Sequence, residues 1–175
     1  MKLPGWGSSR RRLVFVGSSP VADVDLERFR DGYRRDFDRA LDEIDGGRKR
    51  SHWMWFIFPQ VAGLGSSSTA AHYAIRSRKE AEAFLADPVL GDGYRRLVDA
   101  VWQQVIGGDV TIRALFGGPD DQKLVSSLTL FGSLANDLGD DWSATARQIT
   151  ELLDRADTQG LPRCSTTQRF LAAHG

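Results

Sequence analysis

The sequence predicts an all-α protein, and three observations lead to that prediction. Apolar residues recur at spacings of three and four along most of the chain, which is the period of an amphipathic helix. Glycine and proline interrupt these segments and leave only short links between them. One strongly apolar stretch, residues 51–60, can serve as the buried centre. We therefore predict a single domain of about six helices packed around that stretch.

Composition sets limits on the class of protein. The length of 175 residues suits one domain, and 23 basic against 23 acidic side chains argue against a general nucleic-acid binder. The single cysteine excludes an internal disulfide and fits a reducing compartment. The longest apolar run, Trp53 to Phe58, is too short to span a bilayer, and Leu13 to Val16 is too short for a signal peptide. We expect a cytoplasmic protein without a membrane partner.

Residues 1–22 differ from the rest of the chain because they are rich in glycine and serine. We predict a flexible N-terminal arm over residues 1–22, followed by the helical domain over residues 23–175. Within the arm, Leu13 to Val16 could form a short strand, but no partner strand is visible.

The first helix is predicted between Val24 and Ile44. Asp23 or Asp25 can cap its start, and Gly46 with Gly47 ends it. Its apolar face consists of Leu26, Phe29, Tyr33, Phe37, Leu41 and Ile44.

Later segments predict further helices by the same criteria. A helix through Ala70 to Ile75 has Ser66, Ser67 or Ser68 as its N-cap. Ser77 and Glu80 have the spacing of a capping box, and Pro88 is expected to end the helix that they start. The remaining segments are a helix from Val89 or Gly93 to Val105, a brief segment over 110–116, and helices around 124–134, 142–156 and 165–173.

Residues 51–60 hold two of the five tryptophans and two of the nine phenylalanines. In a helix, Ser51 could cap the start and Pro59 would end it. In a strand, alternate side chains would face opposite ways. Periodicity cannot separate the two for so short a run, and we favour a helix because the neighbouring segments are helical. The segment is expected to form the centre of the core and one wall of any site.

Two blocks of sequence closely resemble a bacterial family known as domain of unknown function 1810, some members of which carry the mistaken label calpastatin. The first block is KRSHWMWFIFPQ over residues 49–60 with Gly63–Gly65 and Tyr73–Ile75. The second lies within residues 116–131, and the resemblance covers about residues 25–173. It implies an all-helical fold in which one central helix is surrounded by the others, and it implies no established activity.

The chain departs from the family pattern in two places. The family usually has His-Pro where this chain has Asp87-Pro88, so a role for that histidine does not carry over. Residues 1–22 lie outside the family pattern.

Two residues are candidates for catalysis. His52 has the side chain whose ordinary pKa, about 6.5, suits acid–base work, although it could equally be a buried histidine that bonds a backbone carbonyl. Asp121 could act as a base or accept a hydrogen bond from a ribose hydroxyl. An acid in the first turn of a helix is also expected from the helix dipole alone.

Several further residues are candidates for ligand binding, and each has a structural alternative. Trp53 and Trp55 could stack on a planar ring or belong to the core. The glycine-rich loop could bind phosphate with Lys49 or be a plain turn, since it matches neither the P-loop nor the dinucleotide fingerprint. The candidate ligand-binding residues are Lys49, Trp53, Trp55, Gln60, Gly63, Gly65, Ser66, Tyr73, Lys123 and Ser127.

We expect neither a metal nor a cofactor. The three histidines and Cys164 have no recognised ligand spacing. Cys164 could be a nucleophile, but no histidine stands in a family-specific frame with it.

Three hypotheses for function remain open. The first is a hydrolase or glycosidase that acts on a nucleotide-like, phosphate-bearing small molecule, which would then be the partner. The second is a non-catalytic small-molecule binding domain, and the third is a protein-interaction module that uses the arm. A pocket joining His52, Gln60, Tyr73 and Asp121 would favour the first two, whereas a filled core with an exposed apolar patch would favour the third. The oligomeric state is left open.

Overall fold

A computed structural model describes residues 24–174, so the predictions for the arm and for Asp23 lie outside the described residues. Within that range the chain forms nine α-helices, more than the six predicted because several are only one or two turns long. The helices are α1 (Glu27–Asp45), α2 (Met54–Ile57), α3 (Ser68–Tyr73), α4 (Arg78–Ala86), α5 (Pro88–Trp102), α6 (Ile112–Phe116), α7 (Asp120–Ala135), α8 (Asp140–Thr158) and α9 (Ser165–His174). A short π-helical segment, Gln103–Gly107, extends α5.

Local capping fixes where several helices begin, as predicted. At the start of α1 the N-cap residue is Leu26, which has no side-chain cap, while the Asp25 carboxylate one position earlier accepts the Glu27 N–H (2.9 Å). Ser67 caps α3 by accepting the Ala70 N–H at 3.1 Å. Ser77 caps α4 through the Glu80 N–H, also at 3.1 Å. At the start of α4 the Glu80 carboxylate accepts the Arg76 N–H (2.7 Å) and not the Ser77 N–H. The predicted capping box is therefore incomplete.

The corner between α4 and α5 agrees with the prediction that α4 ends before Pro88, since its last residue is Ala86. Pro88 is in addition the first residue of α5, which was expected to begin at Val89 or Gly93. Proline suits that position because the first helical N–H has no intrahelical acceptor. Asp87 caps α5 through the N–H groups of Val89 and Leu90, both at 3.0 Å. Its other oxygen bonds Arg30 Nε (2.9 Å) and Nη2 (2.6 Å), which ties α5 to α1.

Replacing Asp87 by alanine is expected to lower the free energy of unfolding by about 2 kcal/mol, the upper range for an N-cap, because the cap and a partly buried ion pair are both lost. Chemical denaturation monitored by circular dichroism measures this. Asp87→Asn keeps the cap and loses most of the pairing with Arg30, so it should cost less than Asp87→Ala. Equal losses for the two variants would contradict the capping role.

The aromatic segment 51–60 is buried as predicted but is mostly not helical. Only Met54–Ile57 form a single helical turn. Its N-cap residue is Trp53, which makes no side-chain capping bond, and its C-cap residue is Phe58. Ser51 does not cap it, because the Ser51 hydroxyl and N–H both donate to the Glu43 carboxylate on α1. These bonds hold the chain before Met54 in a non-helical path.

The helix at the centre of the fold is α7, not the aromatic segment. Nearly all of α7 from Leu124 to Ala135 is buried, and α2, α4, α6, α8 and α9 pack around it. The aromatic segment packs between α1, α3 and α7. The predicted arrangement of one central helix surrounded by others is therefore confirmed. The central helix is α7, which includes much of the second sequence block, residues 116–131.

A single parallel bridge positions the loop that follows α2. Val61 pairs with Ile75, and the Ile75 N–H donates to the Gln60 carbonyl at 2.8 Å. The Ala62 N–H donates in turn to the Ile75 carbonyl at 2.9 Å. This pairing closes the glycine-rich loop over residues 61–75 and fixes the Gln60 backbone beside α3.

Among the residues that the structure describes, no helix combines the length and apolar character needed to cross a bilayer.

Candidate functional site

Two adjacent clefts share Gln60 and Leu64. The first, which we call the Tyr73 cleft, has a volume of about 260 Å³ and the second, the Cys164 cleft, about 500 Å³. The Tyr73 cleft is lined by the glycine-rich loop and α3, including Trp55, Gly63, Gly65, Tyr73 and Arg76. The Cys164 cleft lies between the start of α7 and the α8–α9 link, and its lining includes Pro119, Gln122, Lys123, Ser126, Arg163 and Cys164.

Gln60 is the polar side chain common to both clefts. The residue is 6% exposed, and no described residue accepts a hydrogen bond from its Nε2 atom. A buried donor without an acceptor costs about 1–3 kcal/mol. Native proteins rarely keep such groups without a reason. Because the nitrogen has almost no accessible surface, a molecule in the clefts would reach it only after the Gln60 side chain turned toward them.

The Cys164 cleft is lined by the cations Lys123 and Arg163 and by no acidic side chain. Lys123 Nζ lies 4.0 Å from the centroid of the Trp55 ring and 2.7 Å from Asp120 Oδ1. Lys49 Nζ approaches the other oxygen of Asp120 at 2.6 Å. Two lysines therefore share one carboxylate. The other cation of the lining, Arg163, pairs with Asp154 at 3.1 Å and lies 4.0 Å from Asp157, so the charges around the cleft balance.

Those lysines also explain the ionisation of Asp120. Partial burial alone would raise the pKa of its carboxyl, but hydrogen bonds and ion pairs with Lys123 and Lys49 outweigh burial and lower the pKa. Asp120 is thus ionised under ordinary conditions and holds both lysines in place.

Cys164 immediately precedes α9 and is half-buried in the cleft that carries its name. Two buried hydroxyls lie behind it, and Ser126 Oγ and Thr167 Oγ1 are 2.9 Å apart. Burial would raise the pKa of the Cys164 thiol, but hydrogen bonds from the Thr167 hydroxyl and backbone N–H, from Ser126 and from the Thr166 N–H lower it below its ordinary value. This pattern is typical of a cysteine at a helix N-terminus.

The clefts bring together about half of the candidate ligand-binding residues. Trp55, Gln60, Gly63, Gly65 and Tyr73 all line the Tyr73 cleft. Lys123 lines the neighbouring Cys164 cleft.

Neither candidate catalytic residue lines these two clefts. His52 is exposed, so the alternative of a buried histidine does not hold. The residues on either side of it, Ser51 and Trp53, both donate hydrogen bonds to Glu43. Asp121 is fully buried; its Oδ2 lies 3.0 Å from Arg113 Nη2 as an ion pair, but without the angle of a hydrogen bond. Neither cleft joins His52, Gln60, Tyr73 and Asp121, the combination that would favour the first two hypotheses.

Three of the four remaining candidates have structural roles, and the fourth, Ser66, lies on the surface. Trp53 is fully buried in the core. Ser127 is buried with its hydroxyl 3.3 Å from the Tyr94 hydroxyl. Lys49, with a side chain only 6% exposed, bonds the Ser51 carbonyl and Asp120. Ser66 is exposed and outside the lining of either cleft.

Neither the role of Glu43 nor the wall formed by Ser126 and Arg163 was predicted. No local pattern in α1 distinguishes Glu43 from the other polar residues of that helix. Nothing in the spacing of residues 119–126 and 160–165 indicates that these segments meet, because only the packing of α7, α8 and α9 brings them together. Within residues 24–174, no three His, Cys, Asp or Glu side chains group as a metal site requires.

The fold and the clefts define an all-α domain with two small clefts beside its central helix, one of which is lined in part by Lys123 and Arg163. The chain belongs to the family described as protein of unknown function, domain of unknown function 1810, whose model matches residues 23–161. A solved structure, described as the conserved hypothetical protein Rv1873 from Mycobacterium tuberculosis, is 34% identical, with a TM-score of 0.70. The match covers 85% of this chain and 96% of that one. No curated protein matches the sequence.

Proposed function

We propose that this protein binds a small anionic metabolite, of the size and polarity of a nucleotide or sugar phosphate, in the Cys164 cleft. The cleft volume of about 500 Å³ is within the usual range for small-molecule sites. The observation that carries the proposal is the buried Gln60 amide nitrogen, which has no acceptor among the described residues and belongs to a residue lining both clefts.

Charge supports an anionic ligand. Lys123 and Arg163 both line the cleft, and the first turn of α9 begins there. Each cation also has an acidic partner outside the lining, Asp120 for Lys123 and Asp154 for Arg163, with which an anionic ligand would compete. Unpaired N–H groups at a helix N-terminus favour negative charge. A phosphate or carboxylate would be held by the two cations and α9, while a carbonyl or hydroxyl oxygen of the same molecule would accept from Gln60.

Binding without turnover fits the arrangement better than a hydrolase or glycosidase. The catalytic hypothesis relied on His52 and Asp121, and neither of them lines the two clefts. Stacking of a base on Trp55 is also restricted, because Lys123 covers one face of the ring and Gly65 packs against its edge.

The protein-interaction hypothesis receives less support from the described residues. Val89, at 55% exposed, is the one large hydrophobic side chain among them that is mostly exposed, and a single exposed side chain does not indicate a docking surface. That hypothesis assigned partner binding to residues 1–22, which lie outside the described residues.

Gln60→Leu is expected to abolish ligand binding while leaving the fold as stable as the wild type or more so. Leucine has a similar volume and removes the unsatisfied donor. A thermal-shift panel of nucleoside phosphates, sugar phosphates and inorganic phosphate identifies the ligand. A ligand at about 100 times its Kd should stabilise the wild type by about 2.7 kcal/mol.

Gln168→Leu is the matched control, since Gln168 is exposed on α9 and lies outside the lining of both clefts. It should bind the ligand as the wild type does. The proposal is wrong if Gln60→Leu keeps the full shift, or if a well-folded wild type responds to no anion in the panel.

A further inference from the structure

We infer that a separate cavity at the corner between α3 and α4, which we call the Lys79 cavity, binds the phosphate group of a small molecule. It has a volume of about 560 Å³, and its lining includes Arg28, His72, Arg76 and Lys79 together with Asp25 and Glu80. Among the described residues it shares Arg76 alone with the Tyr73 cleft and none with the Cys164 cleft. Binding there is therefore independent of the ligand proposed for the Cys164 cleft.

Three side chains of this lining are free to contact an anion. The exposed residues His72, Arg76 and Lys79 form no ion pair with any residue in the range 24–174. The Arg76 guanidinium donates a hydrogen bond to the Ala71 carbonyl at 3.1 Å, which leaves its charge without a counter-charge. A ligand has no acidic partner to displace from these three side chains, in contrast to the two cations of the Cys164 cleft.

The two carboxylates of the lining do not cancel this charge. Both Glu80 oxygens are occupied, one by Arg28 Nη2 and the other by the Arg76 N–H at 2.7 Å. The Arg28–Glu80 pair is neutral and mostly buried, with side chains 12% and 9% exposed. Asp25 is the remaining carboxylate, and one of its oxygens accepts a backbone N–H at the start of α1. The lining thus has three cations against two carboxylates, an excess of one positive charge even while His72 is neutral.

The backbone that carries the free cations is held in place by the buried pair and by a helix cap. Ser77 Oγ accepts the Glu80 N–H at 3.1 Å and fixes the start of α4, where Lys79 lies. Arg28 Nη2 also donates to the Ala74 carbonyl at 3.1 Å, which fixes the end of α3. Little ordering of the backbone is then needed when a ligand binds, and this lowers the cost of binding.

A phosphate group suits this lining better than a carboxylate. It carries about −1.5 to −2 charges at neutral pH and has three acceptor oxygens, so it can contact the Arg76 guanidinium, the Lys79 ammonium and the His72 ring together. The first N–H groups of α4 add to the attraction of the side chains. The volume of about 560 Å³ is within the usual range for small-molecule sites and leaves room for the rest of a phosphate ester.

The neighbouring sequence offers no counter-charge at the rim of the cavity. Val24 belongs to the lining, and Asp23 is the single acidic residue that precedes it. Residues 1–22 contain four basic residues and no acidic one, so no acidic run there competes for the three free cations. The counter-charge is therefore expected from a separate molecule.

The test follows the three histidine rings of the full-length protein by NMR during a titration with inorganic phosphate at fixed pH and ionic strength. The His72 ring resonances should shift and saturate, because His72 alone of the three lines the cavity. His52 and His174 are exposed elsewhere and are the internal controls, and His72→Gln identifies the resonances. Equal shifts at all three rings, or shifts that do not saturate, would overturn the inference.

Glucose 6-phosphate and glucose show whether the phosphate group is what the cavity recognises. Glucose 6-phosphate should give the same saturating shift at His72, and glucose should give none. A saturating shift with glucose would show that recognition does not depend on phosphate and would also overturn the inference.

Lys79→Gln should weaken phosphate binding about fivefold, the upper range for an exposed ion pair. Arg169→Gln is the matched control, because it removes the same charge from an exposed position on α9 outside the lining, and it should bind phosphate as the wild type does. Both variants should keep the wild-type circular dichroism spectrum, since surface substitutions rarely change stability by much. Equal affinities in the two variants would assign the shift to the overall charge of the protein and rule out the site.

Gln60→Leu and Lys79→Gln separate the Lys79 cavity from the proposed function. If phosphate binding is lost in Gln60→Leu and kept in Lys79→Gln, the Lys79 cavity is wrong and the Cys164 cleft stands. If the His72 titration succeeds while Gln60→Leu keeps every shift of the metabolite panel, the proposed function is wrong and the Lys79 cavity stands.

Discussion

Replacing Glu43 by glutamine is expected to lower the free energy of unfolding by about 2 kcal/mol at neutral pH, less than its whole pKa shift would give, because solvent screens the partly exposed carboxylate. The Glu43 carboxylate accepts hydrogen bonds from the N–H groups of Arg50 (2.8 Å) and Ser51 (3.0 Å), from the Ser51 hydroxyl and from Trp53 Nε1 (2.8 Å). These bonds fasten the entry of the aromatic segment to the end of α1. A neutral amide accepts them more weakly and offers one oxygen in place of two.

The effect should depend on pH in a defined direction. Partial burial would raise the pKa of Glu43, but the hydrogen bonds from Ser51, Arg50 and Trp53 outweigh it and lower the pKa from 4.5 to about 2. A carboxyl whose folded pKa is depressed contributes stability that is fully present above the unfolded pKa and lost as pH falls through the folded one. The gap between wild type and Glu43→Gln should therefore be full above about pH 4.5 and close near pH 2.

Urea denaturation between pH 2 and pH 7 measures this gap. Asp42→Asn is the matched control, because Asp42 is the exposed neighbour on α1 and its change should cost less than about 0.5 kcal/mol at every pH. A gap that stays constant from pH 7 to pH 2 would mean that the lost stability comes from packing and not from the ionised carboxylate.

Glu43 also shows where prediction from sequence stops. Periodicity and capping residues are local signals, so they placed α1, α3, α4, α8 and α9 to within a few residues. The path of residues 51–53 depends instead on a carboxylate one helix away, and no local pattern encodes that contact. A helix prediction for the whole aromatic segment fails for this reason.

The same distinction between local signals and long-range contacts applies to the candidate site. Gln60, Gly63, Gly65 and Tyr73 are close in sequence and are joined by the bridge between Val61 and Ile75, so a motif-based prediction could find them together. The opposite wall comes from the α6–α7 and α8–α9 links, far apart in sequence. Only the packing of α8 and α9 on α7 assembles it.

Among the glycine-to-alanine substitutions, the one at Gly91 on α5 is expected to lower the free energy of unfolding the most. A Cβ atom there would lie 2.1 Å from the carbonyl oxygen of Leu85 and 3.5 Å from the Trp142 ring. Helix propensity alone would favour alanine over glycine by about 1 kcal/mol. The contact is with backbone, however, and the Leu85 carbonyl cannot rotate away without moving the end of α4. We expect Gly91→Ala to destabilise the fold by about 3 kcal/mol, the upper end of the usual cost of overpacking.

Two other glycines on helical segments make the test of Gly91 specific. At Gly107 the nearest atom to an added Cβ is the flexible Gln103 Oε1 at 3.5 Å, so Gly107→Ala should be neutral or stabilise by up to about 1 kcal/mol. At Gly132 the contact is the Ile149 side chain at 2.6 Å, which can shift at some cost, so its loss should be intermediate. Urea denaturation of the three alanine variants should therefore rank Gly91 as the most damaging and Gly107 as the least. A Gly91→Ala protein as stable as Gly107→Ala would mean that α4 and α5 do not meet as closely as the Asp87 cap and Pro88 require. The same result would count against the contact between α5 and α1 that Asp87 makes with Arg30.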